Sequence, residues 1–110
     1  MKHLIAVGLI AGLIHPAVAQ DRVAELVVLG QPIYEANCAS CHSKTGKGFI
    51  GPSFIGNDRI ANDELVLRQI NRGSSDMPAF GKKLTPEEIV AVGTYIRNSW
   101  GNSYGVLQAE

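Results

Sequence analysis

The chain has 110 residues, with ten basic and ten acidic side chains that leave no formal net charge. A length of this order predicts one domain, and the lack of a basic excess argues against a nucleic-acid binder. Lys2 and His3 form a short positive head, and residues 4–14 are an unbroken run of apolar side chains and glycine. His15 and Pro16 break that run, and Ala17-Val18-Ala19 supplies a small-x-small cleavage site. This is the layout of a secretory signal peptide. A membrane anchor is the alternative, but an eleven-residue run falls short of the about 20 residues a bilayer span needs. Cleavage after Ala19 leaves a mature domain of residues 20–110, with its core at about 30–100 and a loose tail over 101–110. Losing Lys2 leaves nine basic residues against ten acidic ones, and the mature chain holds one histidine, His42, and one methionine, Met77.

Residues 21–29 are ambiguous between an extended lead-in and a helical turn. Proline is tolerated in the first turn of a helix but not in its interior. Pro32 therefore predicts a helix that starts near Gln31 and carries Ile33, Tyr34 and Ala36 into Cys38. Cys38-Ala39-Ser40-Cys41-His42 follows. Two thiols three positions apart can each add to a vinyl group of a porphyrin, and the adjacent histidine can reach the iron; C-x-x-C-H is the signature of covalent haem attachment. A Cys38–Cys41 disulfide, with or without thioredoxin-like chemistry, is the plain alternative in an oxidising compartment. No βαβ pattern surrounds the pair, as a thioredoxin-like reading requires. Zinc fits worse, since two cysteines and one histidine supply three closely spaced ligands.

Residues 43–56 are loop by composition, with four glycines and Pro52. They also carry Phe49, Ile50, Phe54 and Ile55, which predicts a loop wrapped over something apolar. Asn62 can cap the next helix, with Asp63 and Glu64 in its first turn, Arg68 and Arg72 toward its end and Gly73 as its stop. A second irregular stretch over residues 74–84 contains Met77-Pro78. Thr85-Pro86-Glu87-Glu88 forms a capping box with proline at the first helical position. It opens a last helix with an apolar stripe at Ile89, Val92, Gly93 and Ile96, ending near Ser99. The expected fold is a small all-α domain of three or more helices whose long loops enclose a large apolar ligand.

Cys38-Ala39-Ser40-Cys41-His42, Gly51-Pro52, Met77-Pro78-Ala79-Phe80 and the ending Tyr95-Ile96-Arg97-Asn98-Ser99-Trp100, in that order, together resemble class I cytochrome c over roughly residues 30–100. The resemblance implies a small cytochrome c fold round one covalently bound haem c. It implies thioethers at Cys38 and Cys41, His42 as the proximal ligand, Met77 as the distal ligand, and a Pro52 carbonyl that accepts from the other ring nitrogen of His42. It further implies that Gly30 and Tyr34 cross the last helix near Val92, Gly93 and Tyr95.

A His/Met pair fills both axial positions and favours a raised potential. The implied function is a periplasmic one-electron carrier, not an enzyme. It would pass electrons from a dehydrogenase or other respiratory donor to an acceptor such as a terminal oxidase. Redox proteins are the expected partners, docking through Lys44, Lys47, Lys82 and Lys83. The chain is also similar to dehydrogenase-associated cytochrome subunits. The competing function is a small haem c enzyme or gas sensor with an open or displaceable distal position. Asn57, Arg59, Arg72 and Trp100 are candidates to contact the haem propionates.

Overall fold

The computed structural model describes residues 16–109, and every regular element among them is helical. Of the expected leader over residues 1–19, residues 1–15 lie outside the described residues and the rest begin the first helix. Helix α1 spans Pro16–Asn37, the single turn α2 spans Ala39–His42, α3 spans Asp63–Arg72 and α4 spans Pro86–Arg97. A 3-10 turn, Asp58–Ala61, precedes α3.

Helix α1 departs from the expected start near Gln31, because it runs through Pro32. Leu26, Gly30 and Tyr34 recur every fourth residue and are all buried. The buried stripe therefore continues across the proline, with Gly30 and Tyr34 against α4, and tertiary packing outweighs the lost hydrogen bond. The interruption falls beside Val28 and Leu29, which are 73% and 54% exposed, so water can take the freed carbonyl.

The α1/α4 crossing is close at one point. A Cβ on Gly30 would lie 2.7 Å from the Ala91 carbonyl carbon and 2.8 Å from Tyr95 Cβ. The expectation that Gly93 shares this crossing is incorrect. Gly93 instead receives Leu107 from the chain end, where an added Cβ would collide with that side chain.

The tail was expected to be loose, and it is held against α4. Leu107 is 1% exposed, and its N–H donates to Thr94 Oγ1 at 3.0 Å. The Asn98 amide donates to the Gly105 carbonyl at 2.9 Å, and the Gly105 N–H donates back to Asn98 Oδ1 at 2.9 Å.

The other helix ends follow the chemistry of their caps. Asn62 Oδ1 accepts from the Leu65 N–H at 3.1 Å. Thr85 Oγ1 accepts from the Glu88 N–H at 3.2 Å while Glu88 accepts from the Thr85 N–H at 2.9 Å. Helix α4 stops at Arg97, two residues before the expected end. Eight of its twelve residues are buried, including Arg97, which is 3% exposed. The Arg97 guanidinium donates to the carbonyls of Ile60 and Ala61 at 3.1 Å and of Tyr104 at 2.7 Å, and it pairs with Asp63. One buried cation thus ties the 3-10 turn, the start of α3 and the tail to α4.

Candidate functional site

Helix α2 is one turn long, and that turn sets the attachment motif. The His42 N–H donates to the Cys38 carbonyl at 3.0 Å, which places the histidine one turn above the first thiol. Cys38 and Cys41, three apart, share a face of that turn. Both thiols are free, so the disulfide alternative is not what the structure holds. Burial, reinforced by Cys41, pushes the Cys38 thiol up to about 11. Dithiol redox catalysts need the opposite, a thiolate stabilised near neutral pH. Zinc fares no better, since no group of three His, Cys, Asp or Glu side chains converges among the described residues.

His42 is 7% exposed, and its Nδ1 lies 2.9 Å from the Pro52 carbonyl. A carbonyl can only accept, so Nδ1 carries a proton, and in the neutral ring Nε2 keeps a free lone pair. That is the tautomer a metal ligand needs, oriented by its outer partner. Gly51 lies against the same ring, where a Cβ would stand 2.6 Å from Cε1. The Gly51 N–H is fixed to the Cys41 carbonyl at 2.9 Å, so only a residue without a side chain fits there. Phe54 stacks on the imidazole with ring centroids 4.3 Å apart and planes at 23°.

Met77 sits half-buried in the loop between α3 and α4. Its carbonyl accepts from the Ser74 N–H at 2.9 Å, and the loop folds back on α3 through Phe80 N–H to the Ile70 carbonyl at 2.9 Å. The Met77 sulfur accepts from the Gln69 amide at 3.3 Å.

One cavity of about 430 Å³ takes in Cys38, Cys41, His42, Pro52 and Met77. That volume lies within the range of sites for small molecules and cofactors. Its walls are mostly apolar, with Ile60, Val66, Ile70, Phe80, Val92 and Ile96 from four parts of the chain. The residues fit a haem: two free thiols, an imidazole with Nε2 unprotonated and a thioether surround an apolar cavity. Of the four propionate candidates, Asn57 and Arg59 line the cavity, whereas Arg72 and Trp100 do not. The Asn57 amide is spent locally, accepting from the Arg59 N–H and donating to the Ser53 carbonyl.

The apolar loop over residues 43–56 only partly meets expectation. Ile50 and Phe54 line the cavity, but Phe49 and Ile55 do not. Phe49 is 81% exposed and Ile50 68%. The four lysines are all exposed. Lys44 pairs with Glu35 at 3.7 Å, and the Lys83 ammonium lies 5.6 Å from the centre of the Phe80 ring.

The roles of three residues in this region escaped the sequence reading. Gln69 interrupts the α3 stripe between Val66 and Ile70, and a polar side chain on that apolar face was the available signal. Gly51 was read as loop, although it directly precedes the proline that holds His42. The contacts of Phe54 join residues distant in sequence, so no local pattern marks them.

Known proteins point the same way as the geometry. Residues 26–96 match the family model described as cytochrome C oxidase, cbb3-type, subunit III. The chain is 34% identical over 87 residues to cytochrome c6 from Rippkaea orientalis, covering 74% of this chain and 73% of that protein. It is 33% identical over 99 residues to the fructose dehydrogenase cytochrome subunit of Gluconobacter japonicus, covering 74% of this chain but 20% of that subunit. Among solved structures it is similar to cytochrome cL from Hyphomicrobium denitrificans, with a TM-score of 0.61 and 25% identity. That likeness covers 76% of this chain and 58% of the other.

Proposed function

This chain belongs to the cytochrome c family, and we propose that it is a periplasmic one-electron carrier with a single His42/Met77-ligated haem c. The observation that carries the reading is the shared cavity. It gathers both thiols, the imidazole and the thioether within one apolar enclosure. Bound there, a haem supplies a reversible ferric/ferrous couple.

The chain's own groups do the rest. Cys38 and Cys41 would hold the macrocycle as thioethers. His42 offers Nε2 while Pro52 keeps the proton on Nδ1. Met77 offers sulfur, a ligand that favours the reduced iron and raises the potential. The apolar walls keep water from the iron and lower the local dielectric, which also bears on potential. A haem held by both His42 and Met77 would leave no site for a substrate, and electron transfer would need little rearrangement.

Residues 1–19 carry the leader pattern, and export to the periplasm followed by cleavage after Ala19 is the location we propose. No described helix is long and apolar enough to cross a membrane. The partner class we propose is a redox protein, with a dehydrogenase or other respiratory donor on one side and an oxidase or cytochrome acceptor on the other. Lys47, Lys82 and Lys83 carry exposed charge, while Lys44 is offset by Glu35. Phe49 and Ile50 add exposed apolar surface next to Lys47. Exposed lysines with exposed apolar side chains suit a partner that presents carboxylates and apolar surface. Replacing Lys82 and Lys83 together by glutamate slows transfer to such a partner at low ionic strength, and the deficit shrinks as salt rises. An unchanged rate across ionic strengths would sink the docking reading.

The core of the proposal is tested by denaturing the secreted protein and extracting it with acid. Haem that stays with the chain supports it. Haem that leaves into the organic phase, or a chain without haem, overturns it.

A further inference from the structure

Among the described residues, two besides glycine adopt left-handed backbone: Ser43 at φ 67° and Trp100 at φ 55°. For a bulky side chain this conformation is costly and persists only where the surroundings enforce it. Both residues bear on His42. Ser43 follows it directly, and its carbonyl accepts the buried Tyr34 hydroxyl at 2.7 Å. Trp100 reaches it from the other end of the chain, through Phe54.

The Trp100 and Phe54 rings stack at 6.1 Å between centroids with planes 14° apart, and Phe54 in turn stacks on His42. The indole is wedged from behind. Gly46 lies so close that a Cβ there would stand 2.5 Å from two indole carbons. Tyr34 and Tyr95 pack on Trp100 with centroids 5.2 Å and 5.5 Å away. Phe54 is also held along its backbone. Its N–H donates to the Gly46 carbonyl, and its carbonyl accepts the Asn102 amide, both at 2.8 Å.

We infer that Trp100 is a positioning residue for His42. The hydrogen bond from Nδ1 to Pro52 and the backbone of Gly51 restrict the imidazole at its edge but leave its tilt to be set by packing on its face. A stacked face fixes the plane. The strained turn after α4 drives the indole onto Phe54, and Phe54 sets the imidazole plane. The orientation of an imidazole ligand and its outer partners tunes the metal it binds. Trp100 therefore acts on the reduction potential without entering the cavity. This rests on His42 being the iron ligand, as proposed above.

The test compares wild type, Trp100→Leu, Trp100→Phe, Phe54→Leu and the double variant Phe54→Leu/Trp100→Leu as haem-loaded proteins. His42 ring-proton hyperfine shifts are read by NMR, alongside the reduction potential and thermal stability. Leu107→Ala is the control for lost core packing away from the stack. Trp100→Leu shifts both the His42 signals and the potential, Trp100→Phe restores most of each, and Phe54→Leu reproduces the shift. In the Phe54→Leu background Trp100→Leu adds nothing, because the relay is already cut. If Trp100→Leu only lowers stability, leaving signals and potential where Leu107→Ala leaves them, the inference fails. Should Trp100→Leu not fold, unaltered His42 signals in Phe54→Leu overturn it equally. Absence of hyperfine-shifted His42 signals in wild type would instead remove the ligand assignment, and the inference with it.

Discussion

His42 and Met77 line the same cavity but are held in unlike ways. His42 sits on a helical turn, hydrogen-bonded to Pro52, covered by Phe54 and crowded by Gly51. The elements behind it are the α1/α4 crossing and an aromatic stack. Met77 sits in a loop stitched to α3 by backbone hydrogen bonds, with the Gln69 amide on its sulfur. The first arrangement fixes a ring in position and plane. The second fixes a loop and leaves a flexible thioether to find its place. With the proposed ligation, the difference implies that ligand exchange belongs to the Met77 side, while attachment and fold integrity belong to the His42 side.

The largest effect that can break this comparison is removal of the sulfur. Met77→Ala keeps its covalent haem and its helical content, but the reduced protein binds carbon monoxide and the potential drops. The drop is expected to be on the order of 0.2 V, a fraction of the roughly 0.8 V that axial ligands span. Redox titration and carbon monoxide difference spectra check it. Loss of haem from this variant would contradict a division of labour between the two sides.

Next comes Arg97, the cation that ties α4 to the 3-10 turn, the start of α3 and the tail. Arg97→Met strips three carbonyls and a carboxylate of their partner and costs about 3 kcal/mol or more. Denaturant unfolding measures it. The Met77 loop leans on α3, so the sulfur should become easier to displace while His42 stays bound. The smallest effect is expected from Gln69→Leu, which removes the amide from the Met77 sulfur. A hydrogen bond worth about 1 kcal/mol changes an equilibrium roughly fivefold. Displacement of Met77 by added imidazole, followed optically, should shift by about that factor. No change would mean that the amide does not hold the sulfur in the loaded protein.

The two sides also differ in how far they could be read from the sequence. Cys38, Cys41, His42 and Met77 stood out because their chemistry is carried by residue type and spacing. The caps at Asn62 and Thr85 did so because a cap is local, made within three residues of itself. Pro32 misled because a local rule met a nonlocal force. Gly30 and Tyr34, on either side of the proline, pack on α4, a helix more than fifty residues away, and that packing carries α1 through it. Gly93 was matched to the wrong partner for the same reason: a small residue announces a close approach but not which segment makes it. Leu107, Trp100 and Phe54 act through contacts between distant parts of the chain, and Gln69 through a bond that forms only once the Met77 loop has folded back on α3.

The sulfur-to-iron charge-transfer absorption of the oxidised protein at neutral pH tests the central claim most directly. The account predicts the band in wild type and its loss in Met77→Ala. A wild-type protein without the band, whose reduced form takes up carbon monoxide readily, would contradict a closed His42/Met77 site and leave a haem with an open position in its place.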